Sequence, residues 1–384
     1  MEPPFVFELC RRLNDTFNVH VLAPHASGAA LEENLKGIQI KRFPYFISKW
    51  ETLSYSGGIL ANLKHNPLRF CLIPFFLFCQ FIALIRLLRK HSFSCIHAHW
   101  LIPQGILACI ASLFVETPPL LCTAHGGDLF GLKGGLFDRL KRFVAGRSAS
   151  VTVVSHAMKR YLCEIGVVHE SIKVIPMGVD LQHLFTPPTG KKTKQTILFV
   201  GRLVEKKGVR YLIESMSAII DLHPQASLTI VGGGQDEFQL KTLSDNLHLG
   251  SYIEFLGPIN NDKLAKLYQD SEIVVFPSVV ASDGDQEGFG LVLVEALGCE
   301  CAVVVTDLPA MADIIVGGKT GLVVPQKAPE KIAISVCQLL NDPSLRCNLG
   351  RLGRQYALQH FDWRVIADQY RFLIDSVIQR RRKT

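Results

Sequence analysis

The chain has no cysteine pair at C-x-x-C or zinc-site spacing, although eleven cysteines are scattered through its 384 residues. An odd, unpatterned set of this kind excludes a disulfide framework and reads as buried, reduced thiols of a cytosolic protein. The opening MEPPFVFELCRRLND lacks a basic region followed by an apolar stretch, so no secretory signal is expected. No internal sequence repeat is visible. Charge of one sign is also scarce. The net of +7 is too weak to argue for nucleic acid and suits anionic small molecules or an anionic membrane surface equally well. Apolar residues are abundant, at 48% of the chain, which supports one or two large cores and excludes global disorder. The length suggests two or three domains.

Short apolar runs alternate with helical patterns in both halves. The first half offers Val19–Ala23, Ile38–Ile40, Cys95–Ala98, Leu120–Thr123 and Val151–Val154. The second offers Ile197–Val200, Leu228–Val231, Ile253–Leu256, Ile273–Phe276 and Ala302–Val305. Runs of this length, rich in Val, Ile and Leu, are strands buried on both faces. Between them lie patterns such as Val209, Leu212, Ile213, Met216, Ile219 and Ile220, at helical spacing. The alternation predicts an α/β protein with two Rossmann-like, doubly wound parallel-sheet domains. A stretch rich in Pro, Gly, Thr and Lys marks a linker at 186–195. The expected division is 1–185, the linker, 196–360, and a C-terminal helix over 361–384 that packs back towards the first domain. Ligands of such sheets bind outside the carboxyl ends of the strands, so the cleft between two domains is the expected site.

One apolar segment, Leu72–Leu88, approaches the length of a short spanning helix but carries Pro74, Gln80 and Arg86. It reads either as a helix lying in a membrane interface, with Arg69, Arg86, Arg89 and Lys90 towards headgroups, or as an apolar helix packed on its own domain.

The candidate chemistry lies mostly in the second half. Gly201-Arg202-Leu203-Val204-Glu205-Lys206-Lys207-Gly208 follows a strand and offers Arg202 as a planar fork and Lys207 as a point charge for phosphate oxygens. Gly232-Gly233-Gly234 ends the next strand and allows either a tight turn or close approach of a ligand. It does not match the GxGxxG spacing. The strongest stretch is Glu287-Gly288-Phe289-Gly290-Leu291-Val292-Leu293-Val294-Glu295. Its glycines open a helix, and a helix start is an anion cradle. Two carboxylates beside such a cradle suit the hydroxyls of a sugar nucleotide.

With these residues in view, the sequence resembles the retaining glycosyltransferases of the GT-B fold, of the family 4 or group 1 type. The carrying pattern is the pair of glutamates in EGFGLVLVE. Val200-Gly201-Arg202, Lys207-Gly208, Phe255-Leu256-Gly257, Pro277-Ser278 and Thr320–Pro325 follow in the family's order, and the resemblance spans about residues 90 to 360. It implies that Arg202 and Lys207 bind the donor diphosphate, that Glu295 holds the ribose hydroxyls, and that Glu287 contacts the transferred sugar. The Gly288, Phe289, Gly290 and Leu291 backbone would approach sugar and phosphate, with Gly233 beside the donor. The backbone at Leu256 and Gly257 would frame the base. Thr123-Ala124-His125-Gly126-Gly127-Asp128 resembles the family's histidine loop, which places His125 over the transferred sugar. The resemblance further implies no cofactor and no metal, a UDP- or GDP-sugar donor, and a glycan or lipid-linked acceptor. No nucleic acid partner is expected. The expected location is cytoplasmic, peripheral at the inner face of the membrane.

Other features carry plainer readings. His97 and His99 read as core or cleft-lining histidines rather than a metal pair. Asp283-Gly284-Asp285 reads as a solvated loop, and the tail Gln379–Thr384 as a solvated helix end or one that sits at an anionic membrane. The chain departs from the family pattern in two places. It runs at once into a helix over Phe5–Arg12, so the family's first strand and glycine loop are not expected within it. Thr306–Asp313 replaces the usual Gly-Pro-Glu, with Asp313 as the candidate carboxylate. The rival functions are a non-catalytic sugar-nucleotide-binding assembly partner and a GT-B-fold sugar-nucleotide epimerase.

Overall fold

A computed structural model describes residues 4–55, 58–190 and 196–383, so the later part of the expected linker, 191–195, lies outside the described residues, as does Thr384 of the tail. After a helix at Pro4–Leu13, strands β1 (His20–Pro24), β2 (Glu32–Leu35) and β3 (Ile38–Phe43) form a sheet in the order β1-β3-β2. β1 runs parallel to β3, and β2 antiparallel to it. The β2–β3 hairpin turns on Lys36 and Gly37, both at positive φ, as a two-residue hairpin turn requires. A separate, fully parallel sheet follows, with β4 (Ile96–His99), β5 (Leu120–Ala124), β6 (Ser150–Val153) and β7 (Ile172–Val174) in chain order. The one sheet expected in the first half is thus found as two, because no described strand is hydrogen-bonded to both β1 and β4.

The second half closes into one six-stranded parallel sheet. Its strands are β8 (Thr196–Val200), β9 (Ser227–Val231), β10 (Ile253–Gly257), β11 (Ile273–Phe276), β12 (Ala302–Thr306) and β13 (Leu322–Val324), in the order β10-β9-β8-β11-β12-β13. β11 and β12 are buried along their whole length, as strands covered on both faces must be. Helix Val209–Leu222 places Leu212, Ile213, Met216 and Ile219 in the core with Ile332 and Val336 of helix Pro329–Asn341. The order reverses between β8 and β11, and their carboxyl ends carry the loops that begin at Gly201 and Pro277.

The described chain divides into two compact units. One holds the residues up to Val154, Met158–Ile175 and the stretch from Ala367; the other holds Ser155–Ala157 and Pro176–Ile366. In the first unit the C-terminal helix packs Tyr370 against His97, ring centres 5.5 Å apart, and Arg371 donates to the Arg12 carbonyl at 2.6 Å.

Candidate active site

In the second unit the loop after β8 meets the loop before helix Leu291–Gly298. Lys207 and Glu287 form an ion pair, with side chains only 14% and 17% exposed. Lys206 pairs with Asp285 at 3.0 Å, and Glu205 accepts from the Ser282 amide and hydroxyl. Asp285 is therefore half-buried and pinned, whereas Asp283 is exposed, as a solvated loop requires. Arg202 is exposed, and Leu203 beneath it is buried.

Burial alone would raise the Glu287 carboxyl. The Lys207 ammonium, its hydrogen bond, Lys206 and the Gly288 amide outweigh burial and hold it at about 2. Glu295 has the opposite environment. Burial pushes it up to about 7, and the Tyr268 hydroxyl, donating at 3.2 Å, only partly offsets that. Two glutamates eight positions apart thus differ in charge near neutrality, one a firm carboxylate and one poised to titrate. No side chain caps helix Leu291–Gly298, whose N-cap is Gly290 at φ +101°; the Leu293 amide donates to the Gly290 carbonyl at 3.0 Å, and the Leu291 and Val292 amides at the helix start carry no side-chain cap against an anion.

The glycines resolve the open question about the run after β9. A Cβ on Gly232 would sit 1.9 Å from the Gly201 carbonyl oxygen, and one on Gly234 2.2 Å from that of Leu203. Gly208, at φ +63°, would meet the Pro277 carbonyl at 1.9 Å. These three serve backbone-to-backbone contact, whereas Gly233 has only ordinary neighbours, at 3.4 Å and beyond. Gly232→Ala is expected to cost about 1–3 kcal/mol, as overpacking does, read as a lowered midpoint of thermal or urea unfolding. An unchanged midpoint would contradict the close approach. At β10 a register shift between Phe255 and Gly257 leaves Leu256 exposed, with open space beside Gly257. Phe289 is buried, its ring 5.7 Å from that of Phe361, so only its backbone is left to meet a ligand.

Asp313 accepts from the His156 amide at 2.6 Å and faces its ring nitrogen at 3.1 Å, so its carboxylate is committed to that contact.

In the first unit His125 follows β5. Its Nε2 lies 2.9 Å from His99 Nδ1, the rings stack at 5.2 Å, and its own Nδ1 is buried without a partner. Burial, then the neighbouring His99, lowers His125 well below the usual imidazole range, so it is neutral at pH 7. Burial holds His99 at about 4. The buried Asp128 carboxylate accepts from the His125 amide at 3.1 Å and the Leu101 amide at 2.8 Å. Lys141, fully buried, donates to the Leu129 and Leu132 carbonyls and ties down the loop that follows. The sequence reads His99 as a core or cleft-lining histidine and gives Asp128 and Lys141 no role. The signal for His99 lay in the β4–β5 register, which sets His99 beside Thr123, two residues before His125.

Two parallel-sheet units, one of them carrying a cationic loop and a glutamate-bearing helix start, define a GT-B glycosyltransferase. The Glycosyltransferase Family 4 model matches residues 4–183 and the Glycosyl transferases group 1 model residues 184–356, and the chain belongs to this family. It is 32% identical over 271 residues to an uncharacterized glycosyltransferase of Methanocaldococcus jannaschii, covering 65% of this chain and 67% of that one. It is 26% identical over 373 residues to the phosphatidyl-myo-inositol mannosyltransferase of Mycobacterium tuberculosis, covering 94% and 88%. Its fold is similar to that of Anabaena HepE, solved with UDP and glucose, with TM-score 0.74, 19% identity and coverage of 97% and 95%.

Proposed function

We propose that the chain is a retaining transferase that moves a sugar from a UDP- or GDP-sugar to a hydroxyl of a lipid-linked or polysaccharide acceptor, without a divalent metal. The observation that carries this reading is the Lys207–Glu287 pair at the mouth of helix Leu291–Gly298, with Glu295 in its second turn. Lys207, Arg202 and the helix N-terminus would take up the charge that grows on the leaving diphosphate, the work a metal does elsewhere. Glu287, ionised throughout the physiological range, would accept from hydroxyls of the transferred sugar. Glu295 would accept from the ribose diol, with Gly233, Gly288, Gly290 and the Leu291 amide lining the phosphate path and Leu256 and Gly257 flanking the base. His125, neutral, would offer a ring and main chain to the oxocarbenium-like sugar without adding a competing positive charge. The HepE complex supports a UDP-linked donor, and the mannosyltransferase relative supports a lipid acceptor.

The test is nucleoside diphosphate release from a panel of UDP- and GDP-sugars with membrane extract as acceptor, run with and without EDTA. Release with one donor, undiminished by EDTA and giving product of the donor's anomeric configuration, is expected. Binding without release would favour an assembly partner, and loss of activity in EDTA would remove the metal-free reading.

A further inference from the structure

The helical stretch Pro67–Lys90 is long and apolar enough to cross a membrane, yet one face is already used. Leu72 and Phe76 are buried with Phe43, Tyr45, Leu53 and Leu63, and Phe76 meets Phe43 and Tyr45 edge-on at 5.3 and 5.1 Å. A helix clamped to β3 in this way is not free to span. Its other face is the anomaly. Phe75, Phe78, Ile82, Arg86 and Arg89 recur at helical spacing along one stripe, aromatic at the start and cationic at the end. Phe78 is 65% exposed and Leu68, in the preceding turn, 80%. Phe46 packs on Phe75 at 5.3 Å and brings the exposed Ile47, Lys49 and Trp50 alongside. A water-facing helix surface should be polar, and a contiguous apolar one marks a binding face.

Charge identifies the occupant. No acidic residue lies between Glu51 and Glu116, whereas Lys64, Arg69, Arg86, Arg89 and Lys90 do. A long segment with cations and no anions repels a basic partner and complements an anionic surface. We propose that Phe46, Ile47, Trp50, Leu68, Phe75 and Phe78 dock this unit edge-on into an anionic lipid bilayer, with Arg86, Arg89 and Lys90 on the headgroups. The aromatics enter the headgroup boundary and the helix lies in its plane. This face is built without the donor-binding residues, so it stands or falls apart from the reading of the transferase site.

The full chain is floated with vesicles of phosphatidylcholine alone or mixed with phosphatidylglycerol, at low and physiological salt. Binding to the mixed vesicles only, weakened by salt and accompanied by a blue shift of tryptophan emission, is expected. Arg86→Gln and Arg89→Gln should each weaken it by about fivefold. Phe75→Ser with Phe78→Ser should lower partitioning at least tenfold, while nucleotide release with a soluble acceptor stays unchanged. Absence of wild-type binding to the mixed vesicles overturns the proposal, as does binding that ignores all four substitutions. So does light scattering that shows a dimer which the Phe75→Ser, Phe78→Ser protein loses, since the face would then belong to a second copy.

Discussion

Lys207→Met is expected to lower kcat for sugar transfer by about a hundred- to a thousandfold, the loss usual when one preorganised charge partner of a transition state is removed. The same substitution also has a structural cost. Glu287 is held at about 2 by Lys207 against the opposing effect of burial. Without the ammonium, a largely buried carboxylate loses its partner, and unfolding stability is expected to fall by about 1–3 kcal/mol. Low activity alone would therefore be ambiguous. The double variant Lys207→Met, Glu287→Gln separates the two effects. It leaves no uncompensated charge, so most of the stability returns, as the coupling term of a double-mutant cycle. Transfer is not expected to return, because the cation proposed for the diphosphate and the carboxylate proposed for the sugar are both still missing. Urea unfolding and single-turnover assays on the wild type, both single variants and the double variant provide the measurement. A double variant that regains transfer would show that Lys207 acts only as the counter-ion of Glu287.

The parts of this site that were legible in the sequence are those written within a few residues of each other. The spacing of Glu287 and Glu295 around Gly290 needs only a helix start between them. Strands β8, β11 and β12 were legible because both faces are buried, which yields unbroken apolar runs rich in Val and Ile. Strand β2 was not, because Glu32-Glu33-Asn34-Leu35 lies at a sheet edge with alternate residues exposed, and β7 and β13 are only three residues long. Pairings across the chain were also hidden. Lys206 and Asp285 stand 79 positions apart, and His99 and His125 26 apart. Strand order and register bring each pair together, and neither is set locally. The glycine run after β9 shows the same limit. Its composition allowed either a tight turn or close approach of a ligand, and only the fold shows that Gly232 and Gly234 instead pass close to the Gly201 and Leu203 carbonyls. The second-domain architecture thus follows from local burial, while the electrostatics of the site follow from contacts that the fold creates.

Glu295→Gln is expected to make the protein more stable at pH 8 and worse at binding its donor. Burial holds the Glu295 carboxyl at about 7, against an ordinary value of 4.5. Below pH 4.5 it is protonated both folded and unfolded and contributes nothing. Between 4.5 and 7 the folded state binds the extra proton, so stability falls as pH rises through that window. Above pH 7 the folded protein carries a carboxylate it would rather not ionise, a cost of roughly 3 kcal/mol at ~1.4 kcal/mol per pH unit. The side chain keeps some contact with solvent, which trims this. A gain of about 2 kcal/mol for Glu295→Gln at pH 8, shrinking to nothing at pH 4, is the expected result of urea titrations at the two pH values. Glutamine can still accept the Tyr268 hydroxyl, so the gain comes from removing charge rather than from repacking. The cost appears in function. A ribose diol presents two hydroxyl donors, which an ionised carboxylate accepts and a neutral amide accepts less well, at about 1.5–3 kcal/mol for charge-assisted bonds. KM for the donor is therefore expected to rise about tenfold or more. In the wild type it should fall as pH rises through about 7, and in Glu295→Gln it should not change with pH. A variant with unaltered stability at pH 8 would show that the carboxyl is not strained, and one with unaltered KM would place the ribose elsewhere. If both effects appear, the pocket holds a buried acid at an energetic disadvantage that the bound diol relieves, which ties folding stability and donor affinity to one proton.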